Sequence, residues 1–282
     1  MKDVVCLVHH GTIEQLDDMG AFLRNVRRGR EAPAELVSEM RHRYEVIGGS
    51  PLGAIANRLA AKLEHALGIP VRAAGRLWHP YPHEALAELD YDRVVVIPLA
   101  QHSAHVYADA TRRDLGADVS VVAAADWGQN PALLDAFARR VRDKARDDAA
   151  LVLTAHSLPL HVDDGYERAV RTSAAAIASR VGDVFSDVHI AFQSQGAGAD
   201  AGQWLGPSLA SVLDLIKGKH HVVVAPIGFL ADHVEILYDI DIEARALAQA
   251  RGLELSRTES LNDADDFVAV LEGIARGLIG QP

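Results

Sequence analysis

Short runs of apolar, mostly β-branched residues recur at 4–8, 94–98, 119–123, 151–155, 189–192 and 222–227. They are too continuous for strands with one wet face and suit strands buried on both faces. Between them, residues 52–67, 131–145 and 167–179 read as helices. Buried strands alternating with helices predict an α/β chain built on parallel sheets. The two halves also echo each other. Val94-Val95-Val96-Ile97-Pro98 matches Val222-Val223-Val224-Ala225-Pro226, and a His-Val pair follows seven residues after each proline, at His105 and His233. His10, just past the first strand, is likewise echoed by His156, just past the strand that opens the second half. A buried strand running into a turn could produce VVVxP without any repeat. If the echo is a repeat, the chain is two doubly wound lobes, residues 1–146 and 147–282, divided in the charged stretch at 142–148. Ligands of such sheets bind beyond the carboxyl ends of the strands.

Composition narrows the function classes. Hydrophobic residues at 49% and charged residues at 24% are those of an ordinary globular protein. A net charge of −11 disfavours a nucleic-acid partner, because phosphate rewards a basic face. The one cysteine, Cys6, permits neither an internal disulfide nor a cysteine-bound iron–sulfur cluster. The apolar run at 4–8 is short for a secretory leader, and nothing approaches a membrane span. A cytoplasmic, monomeric protein with at most peripheral membrane contact is expected.

The common catalytic signatures GxxxxGK[ST], HExxH and GxSxG are absent. Gly196-Ala197-Gly198, with the next glycine at Gly202, reads as a loop rather than a dinucleotide fingerprint. Ser103 and Ser157 each follow a histidine, but neighbours on an extended chain point apart, which disfavours acyl transfer.

Chemistry concentrates in two segments. In Ala155-His156-Ser157-Leu158-Pro159 a buried strand ends in an imidazole, which suits a metal ligand, a general base or a satisfied structural residue. In the second segment, 226–243, a strand ends at Ile227 and helical period takes over from about Asp232. On an α-helix Asp232, Glu235, Asp239 and Glu243 fall within a stripe of roughly 80°, beside an apolar stripe of Ile236, Ile240, Ala244 and Leu247. No Lys or Arg lies between Lys219 and Arg245 to offset these acids. A row of oxygen ligands suits passage of a divalent cation; a solvated helix face is the plainer alternative. The basic run Arg27-Arg28-Gly29-Arg30 is either a helix end or a carboxylate-binding patch. In Ile47-Gly48-Gly49-Ser50-Pro51-Leu52, serine or proline is expected to start the next helix.

These segments together resemble the ferrochelatase family. The matching pieces are His10-Gly11-Thr12, the RRGR run, Arg43-Tyr44-Glu45, IGGSPL, AHSLP, Phe192-Gln193-Ser194, Trp204-Leu205-Gly206-Pro207 and PIGFLADHVEILYDIDIE from Pro226, in family order over nearly the whole chain. The resemblance implies two similar Rossmann-like lobes of the chelatase-like fold around a porphyrin cleft. It also implies a lyase that inserts Fe²⁺, its substrate, into a porphyrin with no tightly bound cofactor. His156 and Glu235 would hold the metal and handle the pyrrole protons, with His10, where relatives carry a tyrosine, as a further metal contact. Asp239 and Glu243 would deliver metal. The RRGR, RYE and FQSxG segments resemble the coproporphyrin III branch of haem biosynthesis, in which His10, Arg27, Arg43, Tyr44, Ser50 and Tyr107 would contact the macrocycle or its propionates. Protoporphyrin IX as substrate, a cobalt or nickel chelatase and a non-catalytic porphyrin carrier are the alternatives.

Overall fold

The computed structural model describes residues 2–162, 165–195 and 204–279. The Gly196-Ala197-Gly198 segment and Gly202 lie outside the described residues. Two compact units emerge from the internal packing. The first comprises Met1–Trp127, Ala231–Val234 and Asn262–Pro282, the second Gly128–Leu230 and Glu235–Leu261.

Each unit is built on a four-stranded parallel sheet, counted among the described residues. In the first, β1 (Asp3–His9), β2 (Val71–Gly75), β3 (Arg93–Pro98) and β4 (Ser120–Ala123) lie in the order β2-β1-β3-β4. In the second, β5 (Ala149–His156), β6 (Val188–Gln193), β7 (His221–Ala225) and β8 (Glu254–Arg257) lie in the order β6-β5-β7-β8. Replacing each strand of the first order by the one four places later gives the second. The echo in the sequence is therefore a repeat of topology: β3 and β7 carry the VVVxP runs, and His10 follows β1 as His156 ends β5.

The central strands β1, β3, β5 and β7 carry the continuous apolar runs, because neighbours on both sides and helices on both faces leave no position between their ends wet. The sequence pattern does not mark β2 and β8. Each is an edge strand paired on one side only, and Val-Arg-Ala-Ala-Gly and Glu-Leu-Ser-Arg need no apolar run. β7 ends at Ala225 rather than Ile227. Pro226, which has no N–H to give the ladder, follows it.

The unit boundary also departs from the division expected at 146/147. The helix Pro131–Asp143, started by Asn130 accepting the N–H groups of Ala132 and Leu133, packs against the helix Tyr166–Val181 in the second unit. The charged stretch at 142–148 is only the turn from that helix into β5. Conversely, the C-terminal helix Asp265–Leu278 belongs to the first unit, where it packs on the helix Leu52–Leu67 and on β3. No described helix is long and apolar enough to cross a membrane.

Candidate active site

In the second unit the carboxyl end of β5 presents His156, with Gln193 of β6 in register beside it. Tyr166 donates its hydroxyl to the His156 carbonyl at 3.1 Å, and the next residue, Ser157, is buried with its hydroxyl donated to the Leu205 carbonyl at 2.8 Å. Ser157 is thus a packing residue that fixes the exit of the strand. The chain leaving β7 folds back over β5, where the Gly228 N–H donates to the Thr154 carbonyl at 3.0 Å. Only glycine fits there: a Cβ at Gly228 would stand 2.6 Å from the Ala155 Cβ and 2.7 Å from its Cα. That close approach brings Phe229 against the His156 ring, edge-on at 6.5 Å, and starts the short helix Val234–Leu237 carrying Glu235.

His156 Nε2 and Glu235 Oε1 are 3.5 Å apart, and both side chains are about one-third exposed, at 32%. Burial works to lower the His156 pKa, but the Glu235 charge and hydrogen bond, a backbone hydrogen bond at Ser157 and the charge of Asp239 outweigh it, so the imidazole sits above its ordinary 6.5. The pair is a half-sheltered nitrogen base held against a carboxylate, able to take up a proton or to offer one nitrogen and one oxygen to a divalent cation. No group of three or more His, Cys, Asp or Glu among the described residues is arranged as a metal site.

Beyond Glu235 the helix departs from the expected α geometry. Asp239–Ala244 is a π-helical segment, in which the Glu243 N–H reaches back five residues to the Tyr238 carbonyl at 3.0 Å. A four-residue step overshoots an α turn of about 3.6 residues and falls short of a π turn, so the two drifts oppose each other. The buried positions accordingly run Ile236, Ile240, Ala244, Ala248, all packed in one apolar cluster with Val152, Val222 and Val224. Leu247, expected in that stripe, is 40% exposed, because the wider turn shifts the phase by one residue and Ala248 takes the inward place. Glu235, Asp239 and Glu243 share the four-residue spacing; the first two are half-buried and Glu243 is exposed. Asp232 drops out of the row: it precedes the helix and, in the first unit, accepts from the Asn262 amide at 2.9 Å. Asp241 accepts from Nε and Nη2 of Arg257, each at 2.9 Å, with Arg245 at 3.6 Å. The local basic residues therefore bind Asp241, between the acids of the row.

Two residues of this unit have roles that sequence reasoning does not assign. Gln193 is buried; its carbonyl accepts the Thr154 hydroxyl at 2.8 Å and its amide donates to the main-chain carbonyl of Glu235 at 2.9 Å. The Ser194 hydroxyl donates to the Asp239 carboxylate. The sequence signals for them are their place in the Phe192-Gln193-Ser194 segment that carries the family resemblance and their position at the end of an apolar strand, where side chains of this fold meet ligands.

In the first unit, His10 is exposed, with Nδ1 3.4 Å from the hydroxyl of buried Tyr107, and the Arg76 guanidinium lies 4.9 Å over the Tyr107 ring. Tyr44 is buried and its hydroxyl lies 3.0 Å from Thr12 Oγ1. Arg43 donates to Glu39 one helical turn away at 2.8 Å. The RRGR run closes the helix Met19–Val26 with Arg28 and Gly29 in left-handed conformations, φ +57° and +87°. Ser50 does not cap the helix that follows: Pro51 holds the N-cap position, and Ser50 Oγ, like Arg27 Nε, is buried with no partner among the described residues. Cys6 lies in the core of β1, its thiol pushed up to about 12 by burial and by Asp114.

Two parallel sheets of the same strand order, each with polar side chains at its carboxyl end, define a doubly wound α/β protein of two similar units. The same fold is seen in SirB from Bacillus subtilis, solved with Fe³⁺, at a TM-score of 0.60 and 16% identity over 99% of this chain and 96% of that one. The family model described as Ferrochelatase matches residues 2–277. The ferrochelatase of Acidobacterium capsulatum is 34% identical over 98% of this chain and 94% of its own. The coproporphyrin III ferrochelatase of Mycobacterium marinum is 33% identical over 98% and 86%. The chain belongs to the ferrochelatase family: it is a porphyrin metal chelatase, a lyase.

Proposed function

We propose that this chain inserts Fe²⁺ into coproporphyrin III to give Fe-coproporphyrin III in haem biosynthesis. The observation that carries the metallation reading is the His156–Glu235 pair at 3.5 Å. Fe²⁺ must lose water and two pyrrole nitrogens must lose protons. Glu235 supplies charge and an oxygen ligand, and His156, whose basicity the carboxylate raises, takes the first proton. Glu243 and Asp239 offer carboxylates at four-residue spacing for the incoming cation, and His10, steered by Tyr107, contributes a further contact to metal or macrocycle. No tightly bound cofactor is needed. The protein works as a cytoplasmic monomer.

The choice of coproporphyrin, with four propionates, over protoporphyrin, with two, is supported by Arg27 Nε and Ser50 Oγ. Two buried polar atoms without partners, one of them beside a run of arginines, are suited to carboxylates that arrive with a ligand. Arg43 and Tyr44, on the same helix, complete the polar set. The test is anaerobic Fe²⁺ insertion into both porphyrins side by side. Arg27→Ala should weaken coproporphyrin more than protoporphyrin by about 1–3 kcal/mol. Equal losses, or a wild-type preference for protoporphyrin, would overturn the assignment.

A further inference from the structure

We infer that Asn262 is a positioning residue for the insertion reaction, fixing the main chain that enters the helix carrying Glu235. The inference rests on the proposed metallation role of Glu235. Asn262 lies between β8 and the helix Asp265–Leu278, 30 residues along the chain from the segment it holds. Its amide oxygen accepts the Asp232 N–H at 2.8 Å, and its amide N–H donates to the Asp232 carboxylate at 2.9 Å. A side-chain amide offers an acceptor and a donor side by side, so one residue meets both the main chain and the side chain of Asp232. The backbone at Asn262 is left-handed, φ +49°, a conformation that asparagine tolerates better than most residues with a Cβ.

What makes Asn262 an anchor is the chain around it. Next to it, Asp263 accepts from Arg58 Nε and Nη2 at 3.2 and 3.1 Å, and its carbonyl accepts from Lys62 at 2.6 Å, which ties the turn to the helix Leu52–Leu67. Leu261, on the other side, is fully buried. Ala231, the neighbour of Asp232, packs on Leu52 and Ile55 at the start of the same helix. Residues 231–234 are therefore held in the first unit by an apolar contact and by the amide clamp, and the chain passes to the second unit after Val234. Glu235 comes next; its carbonyl is held by the Gln193 amide at 2.9 Å, and Ile236 is buried in the core of the second unit. The helix Val234–Leu237 has four residues, too few to fix its own direction by internal hydrogen bonds. Its direction, and with it the aim of Glu235 at His156 3.5 Å away, is set by what holds each end. Loss of the clamp frees the entering end, so Glu235 should be misplaced at the reacting centre while binding of the macrocycle is kept.

Two variants break the clamp without straining the turn. Asn262→Gly deletes both hydrogen bonds and suits the φ; Asn262→Asp keeps the shape and the acceptor but sets a second carboxylate against that of Asp232. Anaerobic Fe²⁺ insertion is measured with whichever of coproporphyrin III and protoporphyrin IX the wild type metallates faster, alongside thermal unfolding. Both variants should stay folded at the assay temperature and lose about tenfold in kcat, the scale of one charge-assisted hydrogen bond, with KM for porphyrin within about twofold of wild type. In the Glu235→Gln background, followed in single turnovers, Asn262→Gly should cost nothing further, because the carboxylate it aims is already gone. An unchanged kcat in Asn262→Gly, a loss seen only in KM for porphyrin, an equal further loss in the Glu235→Gln background, or unfolding of both variants at the assay temperature would overturn the inference alone. A wild-type chain that inserts no metal, or Glu235→Gln with wild-type kcat, overturns the metallation reading, and this inference with it.

Discussion

Replacing Gly228 by alanine tests the link between a close backbone approach and the chemistry. A Cβ there would lie 2.6 and 2.7 Å from the Ala155 Cβ and Cα and 3.4 Å from the His156 N. Carbon atoms settle at about 3.5–4.0 Å, so the overlap is close to 1 Å against two carbons of a strand residue that is fully buried. Neither side can yield easily, since the Gly228 N–H is bonded to the Thr154 carbonyl at 3.0 Å. Overpacking of this kind costs about 1–3 kcal/mol, and stretching that hydrogen bond adds about 1 kcal/mol. For a chain of this size each kcal/mol lowers Tm by about 2–4 °C, giving an expected drop of about 4–16 °C in a calorimetric scan. The displaced atoms belong to the residues that aim His156 at Glu235, so turnover should fall with Tm, by up to about a hundredfold for a shift near 1 Å. Ala155→Gly in the same chain should restore part of both, because it removes the methyl carbon from the overlap and leaves the main-chain carbon in place. Wild-type Tm and turnover in Gly228→Ala would refute the reasoning.

Three further outcomes are expected. Glu235→Gln should depress turnover at saturating metal, whereas Asp239→Asn and Glu243→Gln should mainly raise KM for Fe²⁺; identical iron dependence in all three would make the row a solvated face. Arg257→Met should destabilise the fold by about 1–3 kcal/mol, because it strands the half-buried Asp241, while leaving KM for Fe²⁺ unchanged; a shift in KM would place Asp241 in the metal path. Burial lowers the His102 pKa from 6.5 to about 4, so the folded state binds this proton less readily than the unfolded chain. The stability this represents is present above pH 6.5 and lost as pH falls toward 4, about 2 kcal/mol of it between pH 7 and 5. Denaturant titrations at the two pH values should show a smaller difference in His102→Gln, and an equal difference would exclude His102 as a source of acid sensitivity.

The sequence by itself determined the α/β class, the central strands and the pairing of His156 with Glu235. Strands buried on both faces must be apolar throughout, and the motif order that carries the family resemblance is itself sequence. It could not show β2 and β8, whose edge positions ask little of their side chains, nor that the chain crosses between units after Trp127, Leu230, Val234 and Leu261. Local pattern also assumes one helical period. The π segment breaks that assumption, and packing of Ile236, Ile240, Ala244 and Ala248 against β5 and β7 decides that Leu247 faces out. Tertiary structure alone assigned the charges: Asp241 to Arg257, Asp232 to Asn262, Asp239 to Ser194. Each partner lies 16 to 45 residues away, and which carboxylate is neutralised or tethered depends on through-space distances that no spacing along the chain encodes.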